Sequence, residues 1–373
     1  MSNRALESMN TLSSLVDGAL TDPLAPARTR AAVNMRVIGL ISADVPIELV
    51  VASRAFPLRL PPVVGAPTPL ADRYLESGFG PAVRSILEQW LTGAFDFIDS
   101  VIFTRSNDSE QRLYYYLCEL QRRGLAAGPR PLLYDLAKIE RVSSERHSEV
   151  ATRRLADQLG SDPHELAAAI HQRNNRRKLF QDLGRKRESS EAPAGVKVER
   201  MSRAADLNSS TSFDDALAGW LQSDFPRLAE PRVLLAGSAP PDERLHAAVE
   251  AAGGCVVDEY GDHSLRRLGT PVPTDQEPIE ALSRHYQALP YGPRIFGNRA
   301  AELVRRAIAC HAHGVIFWLS EQDDSLVWHT PAVLSALRGA SLPLLSLTRR
   351  QWEGDDETMA SIRDFTSGLE PTA

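Results

Sequence analysis

Glu48 stands two residues after Pro46, where a proline suited to a first helical turn opens a short apolar segment. A carboxylate there could act on a substrate as an acid or base, or bond to a carbonyl oxygen. The helix dipole favours an acid in that turn without any chemistry, so both accounts stand. Ser106, Asn107 and Asp108 follow an apolar run and open another helical pattern, which suits ligand donors and ordinary helix caps alike, with capping the simpler role. Arg84 and Ser85 share a helix and could orient a ligand or satisfy a nearby carbonyl and acid. Gly237-Ser238 follows a strand pattern, and backbone N–H groups at such a turn can take a phosphate. It is neither G-x-G-x-x-G nor a P-loop.

Cys310-His311-Ala312-His313 resembles a metal motif superficially, but it runs from a helix end into a strand with no placeable carboxylate, so no metal site is expected. Glu321, Asp323, Asp324 and His329 form a denser group, readable as an acid/base set, a divalent-ion site or, more simply, a solvated acidic loop. Arg173, Arg176, Arg177, Lys178, Arg185, Lys186 and Arg187 are the dense basic cluster, and their spacing predicts a solvated helix face rather than a phosphate site.

Alternating strand and helix patterns position these residues. Strands are predicted over 35–42, 56–60, 100–104 and 130–135, with helices over 46–54, 81–91 and 113–121 between them. That βαβαβ order requires a parallel sheet. A second unit has strands over 232–236, 255–258, 314–319 and 342–347, with helices over 242–252, 300–310 and 331–337. Long helical periodicity over 147–159 and 163–183 separates the two. The predicted fold class is α/β, two Rossmann-like or flavodoxin-like parallel-sheet domains joined by a helical segment. Its divisions are a helical or loosely held segment 1–34, a first domain 35–142, a connector and mobile linker 143–230, and a second domain 231–373. The stretch KRESSEAPAGVKVERMSRAADLNSSTS reads as exposed linker. Ligands in open parallel sheets sit beyond the carboxyl ends of strands, which points to the loops after Leu40, Thr104, Ala236 and Leu319.

A net charge of −6 gives no general attraction to nucleic acid, and no segment approaches the roughly 20 apolar residues of a membrane span. Three scattered cysteines, Cys118, Cys255 and Cys310, indicate neither a disulfide framework nor a zinc ribbon and suit a reducing cytoplasm.

Several phrases together resemble the 2-hydroxyacyl-CoA dehydratase and benzoyl-CoA reductase family. VIGLISADVPIELVVASRAFPLRL is similar to its opening strand, Pro-x-Glu helix start and next strand. FGPAVRSIL resembles its Cys-Pro-x-x-Arg-Ser helix, and FDFIDSVIFTRSNDSEQRLYYYL its strand, Ser-Cys-Asp loop and Arg-Leu helix. PRVLLAGSAPP and HGVIFWLSEQDDSLVWHTPAVLSAL are similar to its Gly-Ser-Pro turn and its Gly-Val-Ile strand, cluster loop and Trp-x-x-Pro helix. The resemblance spans roughly residues 35 to 350. It implies paired subunits acting on acyl-CoA thioesters by single electrons, which an ATP-hydrolysing activator supplies through a cysteine-held [4Fe-4S] cluster.

The family's cysteine positions fall here on Gly80, Asn107, Tyr291 and Asp323, with Gln322 the alternative to Asp323 if the register slips by one. Glycine cannot ligate and one aspartate cannot replace three thiolates, so this chain is expected to bind no cluster of its own. It would then serve beside a homologous cluster-bearing subunit. A stand-alone acyl-CoA-binding or regulatory protein, and a redox-independent hydratase or lyase using Glu48 with the acidic loop, are the alternatives.

Overall fold

The computed structural model describes residues 3–105, 107–262, 264–289, 297–323 and 325–370. Two four-stranded sheets, all parallel, share one strand order. In the first, β1 (Val37–Leu40), β2 (Phe56–Arg59), β3 (Ser100–Thr104) and β4 (Arg130–Tyr134) lie in the order β2-β1-β3-β4. The second repeats it with β5 (Arg232–Gly237), β6 (Cys255–Tyr260), β7 (Gly314–Ser320) and β8 (Leu344–Arg350), ordered β6-β5-β7-β8. The strands β1, β3 and β5 are buried throughout, which is why they read as unbroken apolar runs. Each sheet is covered on both faces, so there are two apolar clusters per unit.

The first 34 residues are not a loose approach. Helices α1 (Asn3–Thr21) and α2 (Ala25–Ala32) bury Leu12, Val16, Ala19, Leu24 and Ala27 in the first core. Connections in the first unit are α3 (Ile47–Ala52), α4 (Pro81–Leu91) and α5 (Asp108–Arg122), followed by α6 (Val142–Leu159) and α7 (Pro163–Glu188). The predicted linker is also corrected. Within it, α8 (Gly195–Leu207) buries Val198, Met201, Ala204 and Ala205 on one helical stripe, and α9 (Thr211–Leu221) follows. The flanking charges masked that period.

The solvated basic face is corrected for four of its seven residues. Lys178 and Arg185 are exposed, whereas Arg173, Arg176, Arg177 and Arg187 are buried. Helix α7 runs between both units, so it has little free side. Arg176 ends up donating to Asp214 Oδ1 at 2.6 Å, and to the carbonyls of Ala205 and Asn208 at 2.9 and 3.0 Å, at the end of α8. A guanidinium with five donors suits such a burial. At its far end Arg187 grips Glu259 on β6 with two 2.7 Å bonds.

In the second unit α10 (Arg244–Ala251) and α11 (Pro278–Ala288) are followed by α12 (Arg299–Ala309), α13 (Thr330–Gly339) and α14 (Asp356–Ser367). The predicted helix from 242 begins two residues late, so the Gly237-Ser238 turn does not lead directly into it. Helix α11 leaves its own sheet and packs Ile279, Leu282 and Tyr286 into the first unit's core. Among the described residues no helix is long and apolar enough to cross a membrane.

Candidate functional site

In a doubly wound sheet, the loops leaving the two strands at the order reversal diverge and open a crevice at their carboxyl ends. The reversals here lie between β1 and β3 and between β5 and β7. A serine-to-carboxylate hydrogen bond bridges each one. In the first unit the Ser42 hydroxyl donates to Glu110, which sits in the first turn of α5. In the second, Ser238 Oγ donates to Asp323 Oδ2 at 2.6 Å.

The two carboxyl edges face each other. A Cβ built on Gly80, just ahead of α4, would lie 3.7 Å from Cβ of Gln322, just after β7. Gly65 N–H donates to Glu353 Oε1 at 2.8 Å across the same cleft. Asp262, two residues beyond β6, is close enough to act on Glu110 electrostatically.

Charge collects beneath this cleft. Burial, with Asp44 and Asp262 adding to it, pushes the Glu110 carboxyl up to about 7 against the opposing pull of Ser42 and Arg59. A carboxyl that titrates there can give or take a proton near neutral pH. Lys138 lies 3.6 Å from Asp44 Oδ2 and donates to the Tyr286 carbonyl at 2.7 Å. Burial lowers its pKa while Asp44 opposes the shift. On the other side, Asp206 takes Arg59 at 3.3 Å and Arg267 at 3.1 Å.

Glu48 is fully buried where α3, α7 and α11 meet. Tyr286 donates to its Oε2 at 2.8 Å, and Arg177 lies against Oε1 off the hydrogen-bond axis. Burial would raise its pKa, but Arg177 and then Arg173 outweigh burial and hold the carboxylate below its usual range. Arg177 is itself oriented by Asn174 Oδ1 at 3.1 Å and the Leu268 carbonyl at 3.0 Å. His285, beside the same group, is driven down to about 4 by burial and by Arg177.

The remaining sequence candidates have protein partners. Arg84 holds the loop ahead of α4 through the Phe79 carbonyl at 3.1 Å and Asp72, and Ser85 Oγ accepts from Val63 N–H at 2.7 Å. Asn107 caps α5, accepting from Ser109 and Glu110 N–H at 2.9 and 3.3 Å. Ser238 N–H is spent on the Trp318 carbonyl at 2.9 Å, and a Cβ on Gly237 would come within 1.9 Å of that oxygen. Ser106, Tyr291 and Asp324 lie outside the described residues. His313 Nδ1 accepts from Arg232 N–H at 2.8 Å, and among the described residues no cluster of His, Cys, Asp and Glu is arranged for a metal. Room for a ligand lies instead at the end of β6, in a cavity of about 210 Å³ lined by Tyr260, Asp262, Arg266, Arg299 and Glu302.

Sequence reasoning missed Ser42, Asp44, Glu110, Lys138 and Asp262. A findable signal was present for three of them, since Ser-x-Asp directly follows the first strand and Glu110 falls in the first turn after the third. What brings in Lys138 and Asp262 is tertiary.

The [4Fe-4S] cluster that the resemblance implies needs thiolates. Gly80 has no side chain, Asn107 is a cap, and both Asp323 oxygens are engaged, by Ser238 and by Leu326 N–H at 3.1 Å. Cys255 opens β6 and Cys310 ends α12 next to the start of β7, both at the amino edge away from the cleft. Burial raises both thiols, Cys310 to about 12. Cys118 lies eleven residues past the Asn107 cap, about 16 Å along α5 at 1.5 Å per residue. These residues do not fit a thiolate-held cluster.

Fold and site together define a paired, doubly wound α/β protein whose two switch points open on one cleft. A family model described as 2-hydroxyglutaryl-CoA dehydratase, D-component, matches residues 42–363. The chain belongs to that family, a 2-hydroxyacyl-CoA dehydratase-like subunit, as its sequence phrases implied. No curated protein matches it.

Proposed function

We propose that this chain is the cluster-free member of an acyl-CoA dehydratase assembly. It holds the acyl-CoA thioester in the cleft between its two sheets, and a homologous partner subunit carries the [4Fe-4S] cluster that an ATP-dependent activator reduces. One observation supports this reading: Gly80 and Gln322, in the two loops where the resemblance puts the family's cysteines, approach each other across the cleft with no thiolate between them. The scaffold is kept while its ligands are gone. Purification of the native assembly, with iron and labile sulfide counted per chain, tests it. One cluster per two homologous chains is expected; two per pair, with one on this chain, would remove the reading.

The Ser42–Glu110 bridge favours a second reading, acid/base work that needs no electron from this chain. Glu110 would exchange a proton with the substrate, while Glu48, fully buried and clamped by Arg177 and Tyr286, would take no direct part. Under this reading Glu110→Gln lowers turnover by about 10² or more with little change in affinity. Unchanged turnover in that variant removes it.

A further inference from the structure

Helix α1 carries Met9, Leu12 and Val16 at helical spacing, the stripe that seats it against α8 and α9. The three helices do not close completely. Between them lies a slot of about 240 Å³ whose walls and floor include Met9, Leu12, Val16, Met201 and Trp220. All of these but Met9 are buried, so the slot reaches into the edge of the first core. From Met9 to Asp17 it follows α1 for about 12 Å, at 1.5 Å per residue. An apolar cavity of about 150 Å³ takes up benzene, so this one has room for roughly ten non-hydrogen atoms. Its length along α1 suits a chain better than a ring, and two methionine side chains can adjust around one.

The mouth is polar, with Asn10, Ser13, Asp17, Lys197 and Arg200 around it. Asp17 and Arg200 answer each other at 2.9 Å, and Arg200 also reaches Glu243 at 2.6 Å, just ahead of α10. Lys197 is exposed and, among the described residues, has neither a hydrogen bond nor an ion pair; the side chains of Asn10 and Ser13 have none either. The slot therefore presents one unanswered cation, with a hydroxyl and an amide, above an apolar body. A hydrocarbon chain ending in a single anionic head complements it. A cationic head would be repelled by Lys197, and a wholly polar ligand would leave Met201 and Trp220 unmatched.

We propose that the slot between α1, α8 and α9 binds a free medium-chain carboxylate, with its chain against Leu12, Val16, Met201 and Trp220 and its head beside Lys197, Ser13 and Asn10. None of these residues belongs to the cleft, so the inference goes beyond the function proposed above and does not rest on it. The slot also lies on the seam between the two units. Arg200 joins α1 to Glu243, and Val196 N–H on α8 donates to Glu250 Oε1 on α10 at 2.9 Å, so an occupant braces both halves.

Isothermal titration of the full chain with octanoate provides the test. Saturable binding of one octanoate per chain is expected, with butyrate and inorganic phosphate silent. Octanamide, alike in length but uncharged, should bind about threefold to fivefold more weakly, the margin one exposed ammonium supplies, and Lys197→Met should erase that margin. Ser13→Trp alters an exposed position at the mouth and should abolish the octanoate signal while leaving the unfolding temperature of the unliganded chain unchanged. No saturable octanoate binding, equal binding in Ser13→Trp, or a preference over octanamide that survives in Lys197→Met would each overturn the proposal. Should Ser13→Trp not fold, Lys197→Met decides by the same criterion. A chain that sediments as a dimer and becomes monomeric in Ser13→Trp would also overturn it, because the slot would then hold a side chain of a second copy.

Discussion

The two switch points are built alike and behave differently. Each closes with a serine just after the central strand bonded to a carboxylate from the segment that follows the neighbouring strand. In the second unit the bridge is saturated. Ser238 Oγ also accepts from Ser320 N–H at 3.1 Å, and Asp323 also accepts from Leu326 N–H. Gly237, at φ +114°, lets the chain press onto the Trp318 carbonyl. In the first unit, Glu110 is surrounded by Asp44 and Asp262 and holds its proton to near neutrality. The same device thus serves as a fastener where each polar atom has a partner and as a proton store where burial and like charge leave one unsettled.

Breaking the fastener should have the largest effect. Gly237→Ala puts a Cβ on a left-handed residue against a backbone oxygen, and the strain and overpacking together should cost about 3 kcal/mol or more in urea unfolding. A loss below about 1 kcal/mol would mean that the turn relaxes freely.

Titration sharpens the contrast next. Glu110 binds its proton more tightly folded, near 7, than at its unperturbed 4.5, so its stabilising contribution is full below 4.5 and is lost as pH rises toward 7. The span corresponds to something on the order of 3 kcal/mol. In Glu110→Gln the decline in stability between pH 4.5 and 7 should flatten, and an unaltered slope would place the proton elsewhere.

Ser238→Ala leaves Asp323 and Ser320 N–H each short of a partner, an expected loss of about 1–2 kcal/mol with no new pH midpoint. The smallest change in stability is expected from Ser42→Ala. Because the Ser42 bond favours the ionised carboxylate, its removal should move Glu110 above 7. Carbon-13 NMR of labelled glutamate reads that shift, and a downward movement would reverse the assigned role of Ser42.

Much of the scaffold was legible in the chain. The strands other than β4 and β8 carry largely buried apolar runs at spacings that separate them from the helices, and α4 and β3 begin and end where their periodicity predicts. The cleft loops after Leu40, Thr104, Ala236 and Leu319 were equally accessible, since strand direction follows from the βαβ order. The misreadings share one cause. In 185–211 and along α7 the charged side chains point to solvent by local pattern, but Arg176, Arg177 and Arg187 are buried with carboxylates and carbonyls brought from up to 129 residues away. Charge predicts exposure only when no partner is near, and nearness in space is not written locally.

The amino-acid order alone determined the alternation of strand and helix, hence two parallel sheets. Only the tertiary structure decided which polar groups meet. Lys138 meets Asp44 across 94 positions, and Tyr286 reaches Glu48 across 238, because α11 folds back onto the first sheet. Short-range sterics and periodicity are encoded residue by residue, whereas the protonation of Glu110 depends on burial and on Asp44 and Asp262, charges that lie far from it in the sequence.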